Sequence, residues 1–143
     1  MDRIIEFASN HYILTLAFGV VLFLLIQDVV ESLTRKFKVL SPLLTVAKMN
    51  QGDLVIIDVR EPVEYAKGFI DGARNIPVGK LDLQVDSLAE FKDKPLLLVC
   101  QTGTRSSTAC KTLLKKGFAD IYQLSGGMDA WQEHKYPVQR RPG

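Results

Sequence analysis

An uncharged, almost wholly apolar segment near the N-terminus limits what this chain can fold into more than any other feature. No charged side chain occurs from Phe7 to Gln27, and the stretch from Tyr12 to Ile26 (YILTLAFGVVLFLLI) is apolar apart from Thr15. At ~1.5 Å of rise per helical residue, the uncharged segment covers the ~30 Å hydrocarbon core of a bilayer. The sequence therefore predicts one transmembrane helix, through which the protein is attached to a membrane.

Two other structures contain apolar runs of this kind: a cleaved signal peptide and a helix buried in a soluble core. A signal peptide has a positive amino end and a cleavage site between small residues. Here Asp2 and Glu6 offset Arg3, and the sequence QDVVESLT after Ile26 has no such site. A helix that is apolar on every face has no side to turn toward water. We therefore expect an uncleaved membrane anchor.

The basic residues near the ends of this helix predict its orientation. Arg35, Lys36 and Lys38 follow the apolar segment, whereas only Arg3 precedes it. Positively charged flanks are retained on the cytoplasmic side of a membrane. We therefore expect a single-pass protein of the inner (cytoplasmic) membrane, with an anchor and basic juxtamembrane flank at residues 1–38 and a domain at residues 39–143 that faces the cytoplasm.

Length, charge and cysteine content exclude several classes of function. The 143 residues suffice for one domain and a short appendage, and the net charge of +2, with scattered lysines, does not form a nucleic-acid footprint. The two cysteines, Cys100 and Cys110, form neither a CxxC pair nor a metal-ligand spacing with His11 or His134. We therefore predict no disulfide framework, no metal site and no role for nucleic acid, and a reducing compartment fits best.

Short apolar runs alternate with helical patterns along the rest of the chain. Ser41 and Pro42 are typical of a helix N-terminus, and Gly52 of its end. The predicted strands are 54–58, 96–100 and 121–124, and the predicted helices after the first are 61–68, 106–117 and 127–134. The strands are too uniformly apolar for a half-exposed antiparallel sheet. This alternation predicts an α/β domain with a mostly parallel central sheet flanked by helices, which binds ligands at the carboxyl ends of its strands.

Cys100 ends one of these strands, and the loop QTGTR (101–105) follows it before the helix predicted from Ser106. Gly103 allows backbone N–H groups to converge on an anion, and the helix N-terminus adds positive potential. This setting favours the thiolate, which is the nucleophilic form of cysteine. Arg105 adds a permanent positive charge that suits an anionic substrate or a carboxylate partner. The simpler alternative is a buried cysteine beside an ordinary glycine turn.

Cys110 lies inside the following helix, four residues before Leu114. We predict that it packs in the core, and a resolving thiol is the alternative role.

Three segments resemble the motifs of the rhodanese domain family. The loop CQTGTRS (100–106) resembles the C-x-x-G-x-R-S loop of that family, and LSGGMDAW (124–131) resembles its closing motif. The segment IDVREPVEYAKGFIDGARNIP (57–77) resembles the first signature, with the family's usual residues at Asp58, Arg60, Glu61, Glu64, Tyr65, Gly68, Gly72, Ala73, Asn75 and Pro77. Phe69 departs from the histidine common in the family. Together with its anchor, the chain is similar to bacterial membrane-tethered single-domain rhodaneses.

The resemblance implies a sulfurtransferase in which Cys100 accepts a sulfane sulfur as a persulfide and passes it on. The implied partners are a small anionic sulfur donor such as thiosulfate and a thiol acceptor, with no metal or organic cofactor. The loop residues implied to bind the substrate are Gln101, Thr102, Gly103, Thr104 and Arg105. Asp58 and Arg60 are similar to a supporting charged pair, Gly126 and Gly127 to a turn that closes the last helix on the loop, and Trp131 to a core residue.

Two other functions remain open. Phosphatases and arsenate reductases of a related fold use a C-x5-R loop, but only residues 101–104 separate Cys100 from Arg105. The alternative from a different class is a membrane-held interaction module in which catalysis is incidental. Since the predicted linker holds the domain close to the bilayer, membrane proteins are candidate partners in either case.

Overall fold

The computed structural model describes residues 1–34 and 36–141, which form two compact units, Met1–Arg35 and Lys36–Gly143. Each unit is described by itself. Arg35, part of the predicted basic flank, lies outside the described residues. The second unit starts before residue 39, the predicted domain start, because Lys38 already belongs to a strand of its sheet.

The N-terminal unit contains two helices, α1 (Asp2–Asn10) and α2 (Tyr12–Thr34). His11 separates them with a non-helical backbone (φ −126°, ψ 44°), so the predicted helix does not run unbroken from Phe7. All three charged residues before the apolar segment lie on α1. The part of α2 from Tyr12 to Val30 is long and apolar enough to cross a membrane, and none of its side chains is buried. The apolar N-terminal helix is therefore a candidate transmembrane span.

The second unit is built on a five-stranded sheet in the order β1-β5-β4-β2-β3, in which every paired strand is parallel. Its strands are β1 (Lys38–Leu40), β2 (Val55–Asp58), β3 (Arg74–Asn75), β4 (Leu96–Val99) and β5 (Ile121–Leu124). The parallel α/β architecture predicted from the alternation is confirmed. The two short outer strands, β1 and β3, were not among the predicted strands.

Four helices connect these strands, namely α3 (Pro42–Met49), α4 (Pro62–Lys67), α5 (Leu81–Gln84) and α6 (Thr104–Lys115), and α7 (Gly127–Glu133) follows β5. Short 3-10 turns at Val78–Lys80 and Val85–Phe91 flank α5. The helix predicted from Ser41 and Pro42 is confirmed, since the Ser41 hydroxyl accepts a hydrogen bond from the N–H of Leu44 at 3.3 Å. At the start of α4, Glu64 accepts one from the N–H of Glu61 at 3.0 Å.

Side chains of the central strand β4 and of Cys100 alternate between two hydrophobic clusters. Leu96, Leu98 and Cys100 belong to one cluster with Cys110 and other residues of α6. The intervening residues of β4 belong to the other cluster, which includes Trp131 of α7. Cys110 and Trp131 are 0 % and 2 % exposed, which confirms their predicted burial in the core. The alternation of β4 thus carries Cys100 into the interior at the carboxyl edge of the sheet.

Candidate functional site

Cys100 follows the last residue of β4 and lies beneath the loop that leads into α6. The residue is 1 % exposed. Its Sγ accepts a hydrogen bond from the N–H of Gly103 at 2.9 Å and lies 3.3 Å from the hydroxyl of Ser106. A backbone N–H aimed at sulfur stabilises the thiolate, because a charged acceptor strengthens the bond. We call residues 100–106 the Cys100 loop.

The end of the Cys100 loop depends on the backbone of Gly103. Its φ of 113° lies in the left-handed region that glycine adopts without strain. The chain reverses there, and α6 begins at Thr104 rather than near Ser106, with the N–H of Ser107 bonded to the carbonyl of Gly103 at 3.1 Å. The positive end of a twelve-residue helix therefore lies directly after the loop.

The first turn of α7 holds the other side of the loop. The N–H groups of Met128 and Asp129 donate to the carbonyls of Cys100 and Gln101 at 2.8 and 3.0 Å. Gly127 has a φ of 59°, and a Cβ placed there would lie 2.3 Å from the carbonyl oxygen of Cys100. Only glycine permits this close approach, which gives a physical reason for the predicted Gly126–Gly127 turn.

Asp58 and Arg60, the predicted supporting pair, lie at the carboxyl end of β2 and are 0 % and 2 % exposed. The Arg60 guanidinium donates to the Asp58 carboxylate at 2.7 to 3.1 Å and to the carbonyl of Gly68 at 2.7 Å. Its Nη1 donates to the side-chain oxygen of Gln101 at 3.0 Å. The amide nitrogen of Gln101 in turn donates to the Asp129 carboxylate. The pair is thus joined to the loop through Gln101.

Arg105 is bound to a carboxylate, one of the two partners that the sequence suggested for it. Its Nη1 and Nη2 donate to the two oxygens of Glu64 at 2.7 and 2.8 Å, and both side chains are about one-third exposed. The Arg105 hydrogen bond is the main reason that the pKa of Glu64 falls to about 2. The same contact raises the pKa of Arg105. Glu64 matches the family signature, but no sequence pattern connects it with Arg105.

Gln123 is a further contact of the loop that sequence reasoning did not identify, and it reaches Ser106, the last residue of the loop motif. The Gln123 side chain on β5 is buried and donates to the carbonyl of Gly103 and to the Ser106 hydroxyl, the latter at 3.1 Å. The Ser106 hydroxyl donates to the Gly103 carbonyl at 3.0 Å. The sequence signal that could have identified Gln123 is its position as an amide side chain near the carboxyl end of an otherwise apolar strand.

Thr102 and Thr104, also predicted to bind substrate, are exposed on the loop. Across residues 1–34 and 36–141, no group of three or more His, Cys, Asp or Glu side chains is arranged to hold a metal ion. What the loop offers chemically is a buried thiol, a backbone N–H directed at its sulfur, and an arginine at its far end that is paired with a carboxylate.

Comparisons with known proteins agree with the fold of this unit. The family model of the rhodanese-like domain matches residues 42–134. The chain is 30 % identical to YibN of Escherichia coli over 98 % of this chain and 99 % of YibN. It is 36 % identical to the thiosulfate sulfurtransferase GlpE of Stutzerimonas stutzeri over 71 % of this chain and 89 % of GlpE.

A similar solved structure is that of the polysulfide-sulfur transferase homodimer of Wolinella succinogenes. The TM-score is 0.66 with 31 % sequence identity, over 81 % of this chain and 88 % of that one. The family match covers strands β2 to β5, the Cys100 loop and all of α7. From the motifs, the parallel fold and these matches together, the chain belongs to the rhodanese-like domain family, which includes sulfurtransferases.

Proposed function

We propose that this protein is a sulfurtransferase that moves a sulfane sulfur from a donor such as thiosulfate to a thiol acceptor through a persulfide on Cys100. The observation that carries the proposal is the 2.9 Å hydrogen bond from the N–H of Gly103 to the Cys100 Sγ. It stabilises negative charge on Sγ, both when the thiolate attacks the donor and when the thiolate leaves as the sulfur is passed on. The named activity of the GlpE relative supports the same reaction class.

The transfer needs no redox partner. The Cys100 thiolate attacks the outer sulfur of thiosulfate, so that an Sγ–S bond forms, the S–S bond of thiosulfate breaks, and sulfite leaves with the bonding electron pair. An acceptor thiolate then attacks the outer sulfur of the Cys100 persulfide, and the Cys100 thiolate leaves. The loop contacts to β5 and α7 keep the Gly103 N–H in place through both steps.

We further propose that α2 anchors the protein in the inner membrane with the catalytic domain in the cytoplasm. Support comes from the apolar span Tyr12–Val30 and from Lys36 and Lys38, which follow it. Acceptors held in the same membrane would then meet the domain within a small volume.

Cyanide-dependent formation of thiocyanate from thiosulfate tests the catalytic proposal, using the full chain in detergent micelles. We expect turnover by the unaltered protein and by Cys110→Ser, and none above background by Cys100→Ser. Cys110→Ser is the matched control because it removes the other buried thiol. Equal turnover with and without Cys100 would refute the proposed role of Cys100, and no turnover by the unaltered protein would favour the interaction-module alternative.

A further inference from the structure

The segment that opens the second unit is basic and contains no acidic residue. No Asp or Glu occurs in residues 32–52, whereas Lys36, Lys38 and Lys48 lie there. Lys38 begins β1, and Lys48 lies in the last turn of α3. Their ammonium groups lie over the ring of Tyr122, at 5.6 and 4.6 Å from its centroid. The fold therefore brings together two cations that are separated in sequence.

Two large apolar side chains of α3 lie beside these cations and are exposed to solvent. Leu43 and Leu44 are 67 % and 55 % exposed, whereas Thr45 is buried on the packed side of the helix. Lys48 follows Leu44 by one helical turn, so their side chains are neighbours on the surface of α3. We call Lys38, Leu43, Leu44 and Lys48 the α3 face.

Exposed leucines bordered by lysines are complementary to the surface of an anionic bilayer. Leucine side chains enter the boundary between headgroups and acyl chains, and lysine stems lie along apolar surface while their ammonium groups meet phosphates. Each lysine close to such a surface adds to the attraction. Since residues 32–52 include no Asp or Glu, no carboxylate of this segment opposes that attraction.

The short connection to α2 brings a bilayer within reach of this segment. Helix α2 ends at Thr34 and β1 begins at Lys38. The three residues between them, 35–37, extend over at most about 14 Å. A helix that crosses the membrane would therefore keep the segment that carries the α3 face near the lipid headgroups. At the high effective concentration that such a tether gives, a few side chains suffice for docking.

Resting on the membrane anchor proposed above, we infer that the α3 face docks on the anionic headgroup surface of the membrane that α2 crosses. Leu43 and Leu44 enter the interface, and the two lysines of the face pair with lipid phosphates. Lys38 starts β1 at the amino edge of the parallel sheet, whereas Cys100 follows the carboxyl end of β4. Docking through these residues therefore does not use the Cys100 loop.

Tryptophan fluorescence and lipids with brominated acyl chains, which quench it on contact, measure the docking. The full chain is reconstituted in vesicles of phosphatidylcholine and phosphatidylglycerol, with and without bromine. The fluorescence that Leu44→Trp adds to that of Trp131 should fall about twofold or more in brominated vesicles. Leu83→Trp is the matched control and should stay unquenched, because Leu83 is 84 % exposed on α5, whose buried Leu81 belongs to the other hydrophobic cluster from the one that α3 packs against.

Removing the two lysines tests the electrostatic part of the contact. With Lys38→Gln and Lys48→Gln added to Leu44→Trp, we expect the ratio of docked to undocked protein, obtained from the quenching, to fall about fivefold for each lysine. High salt should weaken the docking in the same way. Lys115→Gln with Lys116→Gln is the control, because both lysines are exposed at the end of α6, and it should leave the quenching unchanged.

Equal quenching of Leu44→Trp and Leu83→Trp, or quenching that ignores the loss of both lysines, would overturn the inference. A blue shift of Leu44→Trp without quenching would also overturn it, because a protein partner or a second copy would then cover the face. Leu43→Trp repeats the measurement, so a folding defect in one variant leaves the other informative.

Flotation of the same vesicles separates this inference from the anchor on which it rests. An unaltered chain that does not float with the vesicles would refute the proposed anchor and the docking together. A chain that floats, but in which neither new tryptophan is quenched, would refute the docking alone.

Discussion

At the scale of single residues, the Cys100 loop is held by partners distant in sequence. Arg105 meets Glu64 from 41 positions away, and Gln123 reaches Gly103 from 20 positions away. The loop could be predicted from the sequence because its residues are contiguous. Glu64 and Gln123 could not be connected with it, because only the order of the parallel strands brings their side chains together.

Removing the arginine should weaken the use of thiosulfate. In Arg105→Ala the Glu64 carboxylate loses its partner, so one further negative charge remains beside the loop. We expect KM for thiosulfate to rise about three- to tenfold, with a smaller change in kcat and no loss of fold. Steady-state kinetics check this, with circular dichroism as the control for folding. An unchanged KM would show that Arg105 has only a structural role.

The Arg105–Glu64 contact also predicts a pH dependence of stability. Folding lowers the pKa of Glu64 from 4.5 to about 2. The ionised carboxylate therefore contributes fully to the free energy of unfolding above pH 4.5, and this contribution is lost as the pH falls toward 2. Glu64→Gln lacks this component, so the stability difference from the unaltered protein should shrink between pH 4.5 and 2. Both side chains of the ion pair are about one-third exposed, so the change in unfolding free energy is small.

Urea unfolding, followed by the fluorescence of Trp131, the single tryptophan, measures this difference. A difference between the two proteins that stays constant from pH 6 to pH 3 would contradict the lowered pKa.

At the scale of elements, the strands and helices that position the site follow from sequence patterns. The buried central strands are continuous apolar runs, and α3 has a proline and a serine cap at its start. Strand β3 has two residues and β1 has three, too few for a periodic pattern to show. Residues 78–91 form short 3-10 and α-helical turns rather than one regular helix. No single spacing of apolar residues predicts such a mixture.

Gly127→Ala tests the contact between α7 and the Cys100 loop. The new Cβ would lie 2.3 Å from the Cys100 carbonyl oxygen, so the loop or the helix must move. We expect a loss of about 1–3 kcal/mol in unfolding free energy and at least a tenfold fall in sulfur-transfer rate. Gly79→Ala is the control, because a Cβ there meets no atom within 4 Å. Full activity of Gly127→Ala would show that the α7 contact does not set the loop geometry.

At the scale of the whole molecule, the sequence separates an apolar N-terminal helix from a domain of the rhodanese-like family. The break at His11 was not apparent because the uncharged stretch continues across it from Phe7. The candidate membrane span therefore starts at Tyr12, and the charged residues before it lie on a separate helix.

The anchor predicts how the protein fractionates and which way it faces. We expect the full chain to remain with membranes after washing with high salt, and a reporter fused at its C-terminus to stay inaccessible from outside intact cells. Replacing Leu22 and Leu24 with arginine should release the protein, because charge at the centre of a span costs several kcal/mol. A soluble unaltered protein, or a reporter accessible from outside, would contradict the proposed topology.

The central claim is that Cys100 carries the transferred sulfur. Peptide mapping by mass spectrometry, after incubation of the full chain with a sulfur donor and removal of the excess, tests it most directly. We predict one additional sulfur on the peptide that contains Cys100, retained in Cys110→Ser and absent from Cys100→Ser. A persulfide found only on Cys110, or sulfur transfer at an unchanged rate without Cys100, would contradict the account.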